Sequence, residues 1–159
     1  MKECSHTTNK IIFAASTEIE NGIACEAGEY KDFSGIIIWG DNESVVENAT
    51  FDLEEYPTLK LITFHSGVWH DGIWWGGTWE NGIWESGTWE DGNWKNGIWN
   101  HGKWLKGTWH SGVWQDGVWE WGVWDAGFWF GGIWKKGFWK EGFDSSSKLH
   151  SDSPNFWNK

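Results

Sequence analysis

Large apolar residues recur at every fifth position through the second half of the chain, and a glycine stands two places before each of them. From Phe64 to Phe143 the unit is Gly-x-Trp-x-x. The position before tryptophan is β-branched or aromatic except at Asn93 and Lys103, and the two positions after it are mostly polar. The repeating tryptophans are Trp69, Trp74, Trp79, Trp84, Trp89, Trp94, Trp99, Trp104, Trp109, Trp114, Trp119, Trp124, Trp129, Trp134 and Trp139, fifteen of the 19 in the chain. The glycines assigned to its turns are Gly67, Gly72, Gly82, Gly87, Gly92, Gly97, Gly102, Gly107, Gly112, Gly117, Gly122, Gly127, Gly132, Gly137 and Gly142.

Val, Ile, Thr and Phe before tryptophan favour strands. Asp-Gly, Asn-Gly, Ser-Gly and Lys-Gly at the end of each unit supply the positive φ of tight turns. A turn every five residues leaves about three for a strand, too few for a useful hairpin. The chain must turn repeatedly in one sense and wind into a coil, each unit stacking on copies of itself. Side chains alternate across a strand, so glycine and tryptophan share one side and the β-branched residue takes the other. Outward indoles in that number would exceed the apolar patch a soluble surface carries, which favours an inward tryptophan core. Outward ladders would instead make an aromatic platform for sugar rings or bases.

Residues 1–60 carry no such period. Short β-like runs at Lys10–Ala15, Gly35–Trp39, Ser44–Val46 and Thr58–Phe64 are separated by turn formers, and Asn42–Leu53 has room for a helical turn or two. This part reads as an acidic, β-rich capping module, because an uncovered strand edge at the end of a coil invites further pairing. After Gly142 the pattern stops and Asp144 stands where a tryptophan is due. In the polar stretch that follows, Phe156 and Trp157 either plug the coil end or belong to a loose tail. The expected organisation is a cap over 1–60, a solenoid over 61–143 and a tail or plug over 144–159.

The order small, polar, large apolar, variable, variable resembles that of the pentapeptide-repeat proteins, with Gly where that family favours Ala and Trp where it favours Leu or Phe. The resemblance covers about half of the chain. It implies a right-handed quadrilateral β-helix with four pentads, or twenty residues, per coil. The expected fold is therefore all-β, a solenoid of about four coils with a small β-rich N-terminal cap. Its core columns would run Trp69, Trp89, Trp109, Trp129 and onward from Trp74, Trp79 and Trp84, at roughly 4.8 Å per coil.

Charge narrows the choice of partner. The chain has no arginine and a formal net charge of -11, a poor match for phosphate backbones, so nucleic acid is not expected as a ligand. Residues 1–64 hold 12 acids against 4 lysines and residues 65–143 hold 9 against 6, so most of the negative charge precedes the repeats. Cys4 and Cys25 are too few and too far apart for a disulfide framework or a zinc site. The apolar run Ile11–Ala15 is too short for a secretory leader, and no stretch approaches a membrane span. A cytoplasmic or virion-associated protein without a membrane partner is expected.

No phosphate loop, nucleotide fingerprint, zinc-ligand pair or nucleophile elbow is present, so neither an enzyme nor a cofactor is expected. In a twenty-residue coil His70, Glu90 and His110 would stack, with Asp71 and Asp91 beside them. Histidines two coils apart lie roughly 10 Å from each other, too far for one metal ion, and a solvated polar face is the simpler reading. His101, Trp121 and Glu141 would form another outward column, with Asn81 before them. Trp75, Leu105, Trp121 and Phe130 are the apolar residues at solvent-facing positions and the candidate partner contacts.

These features point to a non-enzymatic scaffold or interaction protein. Its partner would be another protein or a second copy, met through the aromatic-rich C-terminal coil with Phe128, Phe130, Phe138 and Phe143. Gly-Trp pentads of this kind resemble those of phage and bacterial reading frames, so a viral accessory or structural role fits. Two alternatives stay open. The resemblance implies an acidic DNA mimic that inhibits a DNA-binding enzyme, and outward tryptophans would imply carbohydrate binding.

Overall fold

In a computed structural model, which describes residues 10–13, 28–39, 42–55 and 60–156, the chain winds into a right-handed parallel β-solenoid of about 5 coils. Strand β1 (Lys10–Phe13) runs parallel to β2 (Gly28–Trp39); β2 pairs antiparallel with β3 (Asn42–Glu55), and β3 with β4 (Lys60–Asp71). The helical turns expected within Asn42–Leu53 do not form. That segment is strand because Val46, Ala49, Phe51 and Leu53 all bury on one side, and a bulge between Glu47 and Thr50, where Asn48 takes φ 48°, restores their phase. Cys4, Cys25, Trp157 and the outer ends of the Lys10–Ala15 and Thr58–Phe64 runs lie outside the described residues.

Strand β4 belongs to cap and solenoid at once. One edge pairs with β3; along the other, Ile62–Phe64 lies parallel to Gly77–Trp79 and Val68–Trp69 parallel to Ile83–Trp84. The cap thus covers the first edge of two faces. On the third face the buried Ser44 hydroxyl accepts the Ile73 N–H at 3.2 Å.

Each coil takes three pentads. Trp69 stands in register with Trp84, Trp99, Trp114 and Trp129; Trp74 with Trp89, Trp104, Trp119 and Trp134; and Phe64 with Trp79, Trp94, Trp109, Trp124 and Trp139. A turn of about 15 residues replaces the expected twenty, and the columns Trp69, Trp89, Trp109, Trp129 and their fellows do not exist. The cross-section explains the difference. Within a layer Trp84 meets Trp89 at 6.1 Å and 75°, and Trp89 meets Trp94 at 5.9 Å and 73°, edge to face. Three such rings close the centre. A fourth would open a void on the axis that glycine, having no side chain, cannot fill.

The inward orientation holds for every ladder tryptophan, with exposure between 0% and 8%. Along a column the rings stack nearly parallel, Trp89 on Trp104 at 4.8 Å and 5°, at the strand spacing itself. The third column continues into the cap, because Phe64 stacks on Trp79 at 4.1 Å, Phe51 on Phe64 at 6.4 Å and Tyr30 on Phe51 at 5.1 Å. One aromatic stack therefore spans both parts of the chain.

The corners require glycine for two reasons. Gly97 has φ 125°, and a methyl group there would sit 2.5 Å from the carbonyl oxygen of Gly82 in the preceding coil. Gly77, not among the glycines assigned to turns, takes φ 118° like the rest. Gly142 departs from the assignment: it lies in strand, Gly142–Phe143 pairing antiparallel with Leu149–His150, and leaves room for the Trp139 ring.

This last pair closes one face of the C-terminal end. The Trp139 indole N–H donates to the His150 carbonyl at 3.2 Å, and Pro154 is buried. Phe156 is 69% exposed and plays no part in the plug. The turn is held by Asp144, whose carboxylate accepts the Ser146 N–H at 2.8 Å, the Ser146 hydroxyl at 2.6 Å and the Lys148 N–H at 3.1 Å, and pairs with His150 Nε2 at 2.8 Å. The bonds from Ser146 and His150 hold this carboxyl well below the usual carboxylate range. A depressed carboxyl contributes stability that is present above its unfolded pKa of about 4 and is lost as pH falls through the folded value. Asp144→Ala should therefore loosen the closure at neutral pH, read as faster exchange of the Trp139 indole proton, while the wild type keeps its protection below pH 4.

Candidate interaction surface

With the indoles inside, the positions before and after each tryptophan form the surface. Stacking at fifteen residues redraws their columns. One face carries an unbroken apolar row, Val68, Ile83, Ile98, Val113, Phe128 and Phe143. Elsewhere opposite charges meet one coil apart, Glu120 with Lys135 at 2.9 Å and Asp91 with Lys106 at 3.1 Å, and two histidines face carboxylates at the same spacing, His110 with Asp125 at 3.1 Å and His101 with Asp116 at 3.7 Å. The bond from Lys135 lowers the Glu120 carboxyl. Exposed pairs of this kind contribute little stability each. They favour one register over its alternatives.

The stack of His70, Glu90 and His110 does not exist. His70 reaches Glu85 at 2.6 Å and Glu47 at 3.0 Å, His110 pairs with Asp125, and Glu90 lies on another face, between Trp75 and Leu105 in register. Among the described residues no cluster of three or more His, Cys, Asp or Glu could hold a metal ion. Nor do His101, Trp121 and Glu141 form a column; at a fifteen-residue repeat Trp121 stands between Lys106 and Lys136.

Of the candidate contacts, Trp75 is 43%, Phe130 44% and Trp121 52% exposed, whereas Leu105 is half-buried. Ile133 at 58% and Phe138 at 61% stand out as well. Their place before a tryptophan marks them as outward, but their strand propensity alone accounts for their identity in the sequence. With Leu149 and Phe156 these side chains gather on the last coil and the tail. There the strands Ile133–Trp134 and Phe138–Trp139 end their stacks, with no further strand on their outer edges among the described residues.

The fold and this surface define a repeat β-solenoid with a solid tryptophan core, an acidic cap at one end and an apolar coil at the other. Comparison of the chain with protein-family models, curated proteins and solved structures finds no match. A tryptophan every five residues in turns of about 15 is consistent with a pentapeptide-repeat β-helix. No helix among the described residues is long and apolar enough to cross a membrane.

Proposed function

We propose that the chain is a non-enzymatic scaffold, a tryptophan-cored variant of the pentapeptide-repeat proteins, that associates with a second copy of itself through its C-terminal coil. The observation that carries this reading is the concentration of exposed Trp121, Phe130, Ile133, Phe138, Leu149 and Phe156 at one end of the rod. Large apolar side chains grouped in this way mark contact surfaces. Charge supports the same end. Residues 1–64 carry 12 acids against 4 lysines while the tail from Asp144 balances, so two copies of an acidic chain repel least when they meet tail to tail.

Light scattering on the purified chain should give a dimer, and the double variant Ile133→Ser with Phe138→Ser a monomer whose tryptophan emission is unchanged. A wild-type chain that stays monomeric at tens of micromolar would remove the reading, and a hetero-complex abolished by the same two substitutions would replace the second copy with another protein. The rival functions have less to rest on. Columns of mixed sign such as Glu80, Lys95, His110 and Asp125 do not imitate a row of phosphates, and among the side chains the structure describes, burial of the ladder leaves Trp75 and Trp121, in separate columns, for a sugar.

A further inference from the structure

Strand β4 is packed between the cap strand β3 and the next coil, and it carries two histidines that each reach both neighbours. His65 Nδ1 lies 2.6 Å from Glu80 Oε2 in the coil, and its Nε2 lies 2.9 Å from Asp52 Oδ2 on β3. His70 repeats the arrangement five residues later, 2.6 Å from Glu85 and 3.0 Å from Glu47. An ionised carboxylate only accepts hydrogen bonds, and a neutral imidazole has a single N–H. Making both contacts at once therefore requires the doubly protonated ring. Loss of that proton leaves one carboxylate of each cluster against a nitrogen lone pair, and it sets Asp52 beside Glu80, and Glu47 beside Glu85, with no imidazolium between them. Lys95, with Nζ 3.3 Å from Glu80 Oε1, is a further charge facing the first cluster.

We infer that His65 and His70 are paired proton-dependent latches, which fasten the N-terminal cap to the solenoid while protonated and slacken as alkali removes the protons. The bonds from Glu80 and Asp52 raise the His65 pKa, and the bond from Glu85 raises that of His70 against its partial burial. A raised imidazole gives stability that is complete below its unfolded value of about 6.5 and is lost as pH climbs through the folded value. At the acid end the His65 bond lowers the Glu80 carboxyl, so the contact between these two side chains persists until pH falls through that depressed value. Both latches are independent of association at the far end.

Amide hydrogen exchange on the full chain tests this directly. Between pH 6 and pH 9, after correction for chemical exchange, protection of β3 should fall about three- to tenfold relative to the central coils. In the variant His65→Gln with His70→Gln, β3 should already be weakly protected at pH 6, with no further change. In His65→Lys with His70→Lys, a cation that survives to pH 9 should keep protection high throughout. A flat wild-type ratio, or a glutamine variant that follows the wild type, overturns the inference. If the glutamine variant does not fold, imidazole titration of the wild type by NMR decides: midpoints above 6.5 for His65 and His70 uphold the latches, and midpoints at or below 6.5 discard them.

Discussion

Gly97→Ala should cost about 3–5 kcal/mol of stability, measured as a lowered guanidinium midpoint. Two separate penalties combine. At φ 125° an alanine occupies backbone space that only glycine enters without strain, and its methyl group would stand 2.5 Å from the Gly82 oxygen and 3.3 Å from the Trp79 indole nitrogen. Neither can be relieved by turning a side chain, because the nearest atoms are the backbone of the preceding coil, itself fixed by the hydrogen bond from the Ile98 N–H to the Gly82 carbonyl at 2.9 Å. A solenoid is held by nearest-neighbour contacts, so a fault in a middle coil should also divide the transition into two parts and lower its cooperativity. Gly76→Ala is the matched control. Gly76 lacks a positive φ, and an added methyl there meets Leu61 Cδ2 at 3.4 Å, so a change within about 0.5 kcal/mol is expected.

Trp99→Ala should be about as damaging, at about 4–5 kcal/mol, since the missing indole leaves a cavity walled by rigid neighbours. Trp99 stacks on Trp84 at 4.9 Å and on Trp114 at 4.8 Å and meets Trp94 edge to face at 6.0 Å, so the gap breaks a column and a layer together. Phenylalanine separates stacking from hydrogen bonding. The Trp99 N–H donates to the Asp116 carbonyl at 3.2 Å, whereas the buried Trp94 N–H finds no acceptor. Trp99→Phe should therefore cost about 1 kcal/mol more than Trp94→Phe, as the first loses a hydrogen bond and the second removes an unsatisfied donor. Phe64, which heads the third column, shows that a phenyl ring fits the position. Equilibrium unfolding of the three variants side by side gives the comparison.

The pentad alone conveys the winding, the inward indoles and the glycine corners, because each follows from side-chain alternation and backbone sterics within five residues. The number of pentads per coil depends on how rings from different pentads fill a cross-section, and the resemblance to proteins with leucine and phenylalanine cores gave twenty residues where indoles require fifteen. A signal for fifteen is nevertheless present in the outward residues. At that spacing Val68, Ile83, Ile98, Val113, Phe128 and Phe143 fall in one apolar row, while Glu120 meets Lys135 and Asp91 meets Lys106. At twenty, Val68 would sit by Thr88 and Ile83 by Lys103. The candidate surface was half legible: Trp75, Trp121 and Phe130 break a polar position and so draw notice, whereas Ile133 and Phe138 look like ordinary strand formers until the end of the stack leaves them uncovered. Of β3 only Ser44–Val46 was legible, because the bulge at Asn48 breaks the alternation by which the rest of the strand would be recognised.

The central claim is that indoles fifteen residues apart lie face to face inside the coil. Nuclear Overhauser contacts between individually labelled indoles measure this most directly. The expected result is a contact between Trp84 and Trp99, whose rings are 4.9 Å apart, and another between Trp89 and Trp104 at 4.8 Å. Contacts from Trp84 to Trp104 with none to Trp99, or no contacts between indoles at all, would contradict it.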